Sequence, residues 1–258
     1  MNFNKLCQLL SARLDGVGVR AFDSIDSTNS EAKRYASSTN SNAPVLFIAR
    51  RQSAGRGRMG RDFITREDCG IYMSLLYFCQ DELSDVISVT TFAAYAVALS
   101  IDKATKKPMQ IKWVNDIYDE RGKVSGILVE TVRADAGLGV VVGIGINTGG
   151  GAFPDEIASI ASSIGDISTD KIADIVADTV NLLMEHSQSH TDRSFMSEYR
   201  ARLMMVGHQV TLTADGKQVM VGTMMGVDEE GGLLIIPQGE SAPITVRRGE
   251  VSLRRVGD

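Results

Sequence analysis

No stretch of this sequence approaches the roughly 18 consecutive apolar residues that a membrane-spanning helix needs. The first 14 residues carry polar side chains throughout, so they form no signal-peptide core. Cysteine is scarce: Cys7, Cys69 and Cys79 are an odd number without a Cys-x-x-Cys pair, which reads as reduced thiols in a cytoplasmic protein. There is no basic excess. Lys and Arg total 27 against 32 Asp and Glu, a net charge of -5, which argues against a protein that lives on nucleic acid. Internal repeats and low-complexity tracts are also lacking. What is present is an ordinary globular composition, 43% hydrophobic and 23% charged over 258 residues, enough for one large domain or a large one and a small one.

The positive charge is therefore local, and its densest point is Gln52-Ser53-Ala54-Gly55-Arg56-Gly57-Arg58-Met59-Gly60-Arg61. Glycines at this density let the backbone approach a ligand closely. The interleaved arginines can converge on one anion. We read the stretch as a phosphate-binding loop that closes over a nucleotide.

In chain order, residues 1–15 form a short amphipathic helix with Leu6, Leu9, Leu10 and Leu14 on one side. A strand over 17–25 leads to Asp26-Ser27-Thr28-Asn29-Ser30-Glu31. There Thr28 and Glu31 fit a capping box for a helix to about residue 38, and helix N–H groups with small hydroxyls can hold a polar ligand head. Strands are expected over 45–50 and 70–78, and a long buried helix over 88–106. Residues 111–118 read as one strand and 123–130 as its hairpin partner, which places Lys112 and Lys123 on paired strands. The apolar segment 139–146 is either a central strand or an edge that pairs across a two-fold axis. Helices follow over 171–184 and 194–205. Beyond Gly207, short alternating segments separated by glycine turns have the pattern of a small β-barrel. The domains are thus expected at 1–206 and 207–258.

The glycine-arginine stretch literally matches Gly-x-Gly-x-x-Gly, yet no patterned helix follows it, so the dinucleotide-binding reading fails. Arg61-Asp62 stands where a P-loop needs Lys-Ser/Thr, and kinase catalytic motifs are missing. What remains is a nucleotide site built on a sheet, with Lys112 and Lys123 facing one phosphate and Asn115 and Asp116 reading a base or binding a metal ion. His186 and His190, four apart, have a possible metal-ligand spacing, but their polar flanks suggest an exposed helix end. Trp113 reads as core or pocket wall, and the Met204-Met205 pair as packing.

Together these motifs resemble the biotin–protein ligases. They appear in that family's order: Asp26-Ser27-Thr28-Asn29, the glycine-arginine loop, Lys112-Trp113-Val114-Asn115-Asp116, Lys123-Val124-Ser125-Gly126-Ile127-Leu128-Val129-Glu130, Gly143-Ile144-Gly145-Ile146-Asn147 and Gly249-Glu250-Val251-Ser252-Leu253-Arg254. The resemblance implies an α+β fold, a mixed β-sheet flanked by helices of the class II synthetase type, followed by an SH3-like β-barrel. It implies an enzyme that joins biotin and ATP as biotinyl-5′-AMP, with Mg²⁺, and transfers biotin to a lysine of a biotin carboxyl carrier protein. By position, Ser27, Thr28, Asn29 and Gln52 meet the biotin head or its surroundings, while Arg56, Gly57 and Arg58 belong to the loop that closes over chain and phosphate. Lys123, beside Gly126, reaches the carboxylate and α-phosphate, and Lys112 the reacting phosphate. Arg61, Asn115 and Asn147 fall near the nucleotide, and Asp116 near a metal ion.

Two departures stand out: Val114 replaces a usual proline, and Phe63 a usual tryptophan. About 20 residues precede the motifs, too few for a DNA-binding domain, so a ligase without repressor activity is expected, with no membrane partner and with a homodimer as one option. The rival readings are a lipoate– or octanoate–protein ligase on the same scaffold and a non-catalytic ligand-binding regulator.

Overall fold

The computed structural model describes residues 1–60, 63, 69–79, 86–150, 152–214, 217–247 and 251–255. The expectation for Arg61 lies outside the described residues, as does part of the C-terminal motif at 249–250. In order, the elements are α1 (Phe3–Arg13), β1 (Gly18–Phe22), α2 (Thr28–Ser38), β2 (Val45–Ala49), β3 (Gly70–Cys79), α3 (Val86–Thr105), β4 (Gln110–Lys112), β5 (Asp116–Asp119), β6 (Gly122–Ala134) and β7 (Gly137–Asn147). They continue as α4 (Asp155–Ala158), α5 (Thr169–Ser187), α6 (Met196–Ala201), β8 (Gln209–Ala214), β9 (Lys217–Val227), β10 (Leu233–Pro237), β11 (Ile244–Val246) and β12 (Val251–Arg255).

Seven strands form one mixed sheet in the order β1-β2-β3-β7-β6-β5-β4. Only the β1–β2 pair is parallel. The period of two along β7 sorts its side chains: Val140, Val142, Ile144 and Ile146 enter the large core, while Val141 joins a smaller cluster beneath α2. Met73 and Leu75 on β3 face the same way as that first set, and Leu76 the other way. The large core is covered by α1, α3 and α5. Helix α5 buries Ile172, Ile175, Val176, Val180 and Leu183, the i, i+3, i+4 stripe of an amphipathic helix, and packs along α3. Ser168 caps it, accepting from the Lys171 N–H. Helix α3 is long and apolar enough by length and composition to cross a membrane, yet 67% of its most apolar window is buried inside the protein. The covering elements, not a lipid phase, account for its composition.

The C-terminal strands form a second, antiparallel five-stranded sheet, ordered β11-β10-β9-β8-β12. Its β9–β10 turn docks on the larger part: Trp113 Nε1 donates to the Gly231 carbonyl at 2.9 Å, and Arg200 Nε to the Val227 carbonyl at 3.2 Å.

Several expectations need correction. Residues 111–118 are not one strand: β4 and β5 form their own hairpin, with Lys112 opposite Asp116, around a turn that contains a cis peptide between Trp113 and Val114. Lys112 and Lys123 therefore lie on strands that flank β5 rather than on partners. Strand β7 is central, so edge pairing through it is not available. The helix expected over 194–205 is only six residues long, because 202–204 peel off to pair with β4 through the Arg202 and Met204 backbone. The capping residue of α2 is Ser27, not Thr28, and Glu31 pairs with Arg34.

His186 is buried and His190 half-buried, rather than both being exposed at a helix end. The His186 ring is 5% exposed and stacks on Phe92 at 3.8 Å between centroids, and neither of its nitrogens has a hydrogen-bond partner. Among the described residues no group of three His, Cys, Asp or Glu could hold a metal. Burial, with His190 and Arg193 adding positive charge nearby, holds the His186 pKa down to about 4. An unfolded histidine takes a proton near pH 6.5. Folding stability should thus be full above about pH 6.5 and fall as pH drops towards 4, the loss reaching roughly 2 kcal/mol at pH 5. Urea midpoints at pH 7 and pH 5 test this; His186→Phe should flatten the difference, and an unchanged difference would exclude His186 as its source.

Candidate functional site

Beside α2, on the sheet face away from the large core, is a cavity of about 670 Å³. Its floor is glycine. Gly143 lies opposite Ser74 and Leu128, and Gly145 opposite Tyr72 and Gly126, so three glycines on β6 and β7 face the same space. They leave room that other residues use. A Cβ at Gly143 would stand 2.1 Å from Asn29 Oδ1, and one at Gly145 would stand 2.4 Å from the Phe63 ring. Neither glycine needs positive φ, so the requirement is space and not backbone conformation.

One part of the wall is polar and neutral. The N-terminus of α2 presents Ser27, Thr28 and Asn29, all under 6% exposed. Gln52 Oε1 accepts from both the Thr28 N–H at 2.7 Å and the Thr28 hydroxyl at 3.0 Å. A side chain 24 residues distant thus completes a helix cap that local sequence does not supply. Gln52 is held in place by the parallel bridge between its own strand segment and Ile25.

Another part of the wall is charged. Lys123 Nζ pairs with Asp116 at 2.8 Å. Lys112, opposite Asp116 on β4, extends its ammonium over the Tyr118 ring at 5.6 Å. Arg58 Nη1 donates to Asn115 Oδ1 at 3.0 Å, and Asn115 Nδ2 donates to the Ile127 carbonyl at 2.8 Å, so the loop arginine is tied to the hairpin turn. Arg56 and Gly57 border the same cavity. The loop's base is pinned by Ala54 N–H to the Asp26 carbonyl and Phe63 N–H to the Gly55 carbonyl. Asn147 also borders the cavity, but its amide donates to the Ser162 and Lys123 carbonyls and staples the 160–164 segment to β6.

The structure thus brings Ser27, Thr28, Asn29, Gln52, Arg56, Gly57, Arg58, Lys112, Asn115, Asp116, Lys123, Gly126 and Asn147 to one cavity. Sequence reasoning missed others. Met204 and Met205 line the cavity rather than merely packing, because the 202–204 segment adds to β4. Ile157 and Ile160 close another side. Ser74, wholly buried, lies behind Thr28 and Asn29. The period of two along β3 was the available signal for Ser74, a polar residue on the face opposite Met73 and Leu75.

Such a cavity, with neutral hydrogen-bonding groups along one wall and lysines and arginines along another, belongs to a protein that takes a small acid together with a nucleotide. Comparison with known proteins agrees. The model of the biotin/lipoate A/B protein ligase family matches residues 21–147. The bifunctional ligase/repressor BirA of Bacillus spizizenii is 33% identical over 226 residues, covering 84% of this chain and 68% of that protein. The biotin–[acetyl-CoA-carboxylase] ligase of Mycobacterium tuberculosis is 28% identical over 256 residues, covering 95% and 92%. Among solved structures, the biotin protein ligase of Aquifex aeolicus in complex with biotin and ATP superposes with a TM-score of 0.77 at 26% identity, over 92% of this chain and 99% of that one. The chain belongs to the biotin/lipoate A/B protein ligase family.

Proposed function

We infer that this protein is an ATP-dependent ligase that activates biotin as biotinyl-5′-AMP and transfers it to a lysine of a biotin carboxyl carrier protein. The observation that carries the reading is the two-part cavity. The neutral wall at the α2 N-terminus stands over the Gly143 row, and the cationic wall near the Gly126–Gly145 row is two residues further along the strands, roughly 7 Å. A polar bicyclic head with a carboxylate on an aliphatic arm fits that separation.

In the first step a carboxylate oxygen of biotin attacks the α-phosphorus of ATP, the bond to the β-phosphate oxygen breaks, and pyrophosphate leaves. Two anions repel each other until cations neutralise them. Lys123, Lys112, Arg56 and Arg58 are the groups we assign to that work. In the second step the carrier's lysine ε-amine attacks the acyl carbon, loses a proton, and AMP leaves. The mixed anhydride hydrolyses in water, so the glycine-arginine loop, with Phe63 at its far side, is assigned to covering it. We assign Ser27, Thr28, Asn29 and Gln52 to the head of biotin, Gly126 to close passage of its arm, and Asn115, Asn147 and Arg61 to the nucleotide.

Mg²⁺ held by one or two carboxylates and substrate phosphates is the usual form. Asp116 is the only carboxylate among the described residues that line the cavity, and it is engaged by Lys123, which fits an ion delivered by the triphosphate better than a resident one. Such an ion would lower the charge on the phosphates. Residues 207–258 we read as a separate SH3-like module; its β9–β10 turn touches the Trp113 wall of the cavity.

Pyrophosphate exchange into ATP tests the reading, with biotin, lipoate, octanoate or no acid. Exchange with biotin alone is the expected result. Exchange with lipoate or octanoate instead would keep the chemistry and replace the substrate. Folded protein without exchange for any acid would leave a ligand-binding regulator.

A further inference from the structure

At the end of β3 beyond the cavity, a thiol and an imidazole meet. Cys79 Sγ lies 3.1 Å from Nε2 of His190, which follows α5. Neither residue borders the cavity. Cys79 is five residues along the strand from Ser74, roughly 17 Å, so its chemistry does not depend on which acid the cavity takes. The sulfur is in no disulfide and is partly exposed.

The imidazole is held in place from several sides. Its ring stacks on Tyr77, two residues back on β3, at 5.8 Å between centroids, and His186 of α5 meets it edge to face at 5.6 Å. Arg193 Nη1 donates to its backbone carbonyl at 2.6 Å. Burial, and then the charge of Arg193, hold its pKa below the ordinary histidine value, so the ring is neutral at pH 7. Its neighbours are neutral there too: burial pushes the Tyr77 hydroxyl up and holds His186 down to about 4.

A neutral imidazole has one N–H, and either place for it favours a thiolate. With the proton on Nδ1, Nε2 is a bare base beside the thiol. With it on Nε2, that N–H points at the sulfur and stabilises the charged form. Nδ1 has no hydrogen-bond partner among the described residues, nor has either nitrogen of His186, which is more than nine-tenths buried. Imidazoles kept for structure alone normally have such nitrogens satisfied. The other two thiols lack a base. Burial and the nearby Asp23 carboxylate push Cys7 up, and Cys69 Sγ has only the Gly150 carbonyl, at 4.0 Å.

We propose that Cys79, with His190 as its base, is a modification site that takes a small disulfide. Cys79 Sγ attacks one sulfur of the disulfide while its proton passes to His190 Nε2. The bond between the two reagent sulfurs breaks, a new one forms to Cys79, and the leaving thiolate takes the proton from the imidazole. The reagent is the oxidant: Cys79 is oxidised, half of the reagent leaves reduced as a thiol, and added thiol reverses the exchange.

The test treats the whole protein with uncharged 2-hydroxyethyl disulfide and times the adducts at Cys7, Cys69 and Cys79 by peptide mass analysis. An unassisted thiol with a pKa near 8.5 gains roughly 50-fold in thiolate between about pH 6.5 and 8.5. Cys79 should change less than about fivefold over that range, and at the lower pH should react at least about tenfold faster than either other cysteine. His190→Phe keeps a ring to stack on Tyr77 but removes the base. It should slow Cys79 at least about tenfold at the lower pH and return the steep profile, with Cys69 within about twofold of its wild-type rate. His190→Gln should do the same if the phenylalanine variant fails to fold, and if both fail the wild-type profile decides alone. A wild-type profile as steep as that of an unassisted thiol, or a flat one that survives loss of the imidazole, would overturn the proposal. Pyrophosphate exchange is not read here, so either failure leaves the ligase reading standing.

Discussion

Lys123→Ala is expected to lower the rate of biotin-dependent pyrophosphate exchange by 10²- to 10³-fold at saturating biotin and ATP. A unit charge about 4 Å from a developing anion contributes on the order of 4 kcal/mol at the effective dielectric of a protein surface. The Lys123 side chain is 30% exposed, so solvent screens part of that, which sets the lower end of the range. The loss should fall on kcat as well as KM, because phosphoryl charge builds up in the transition state and a group that meets it there acts on the chemical step. A further penalty comes from Asp116. Without its partner at 2.8 Å, that carboxylate would face the incoming phosphates unpaired. Lys123→Ala with Asp116→Asn should therefore be less impaired than the two single losses combined, and Lys123→Arg should keep part of the activity. Normal turnover by Lys123→Ala at saturating substrates would end the role assigned to this lysine.

Gly145→Val should give folded protein that scarcely binds biotin, with its KM raised at least about 100-fold. The backbone at 145 is ordinary strand, where valine is favoured, so the sheet should tolerate the change. The cavity should not. The first added carbon would stand 2.4 Å from the Phe63 ring, and the two methyls beyond it would occupy the floor we assign to the arm of the acid. Phe63 belongs to a loop and can move aside; the paired strand beneath the cavity cannot. Thermal unfolding close to that of the wild type, together with lost biotin binding by calorimetry, is the expected pair of results. Unchanged binding would show that the acid does not cross the Gly126–Gly145 row.

Much of the site was legible because its chemistry is written in short runs. The glycine-arginine stretch, Lys112 to Asp116, and Lys123 to Gly126 carry their residue types within a few positions, and Gln52, Arg56, Gly57, Arg58, Lys112, Asn115, Asp116, Lys123 and Gly126 from these runs all border the cavity. The amphipathic periods of α1 and α5 were legible for the same reason, since a stripe at i, i+3, i+4 needs only its own helix. Alternation did not separate one long strand from the β4–β5 hairpin, because 111–118 reads equally well either way and the turn at Trp113–Asn115 carries no glycine. The His186 environment was misread because local polarity says nothing about the Phe92 and Phe195 rings that α3 and the segment before α6 bring against it.

By itself the sequence determined the class of chemistry: a local concentration of cations and glycines in an acidic, globular chain, arranged in the order of a biotin ligase. Only the tertiary structure decided which groups serve one another. Gln52 caps a helix 24 residues away, Glu130 orients Asn29 across 101, and Gly143 is glycine because Asn29 needs its space. The physical reason is one of range. Charge, hydropathy period and turn propensity act over a few residues, whereas hydrogen-bond direction and steric room depend on which strands and helices are neighbours, and that is set by burial of the two sheet faces.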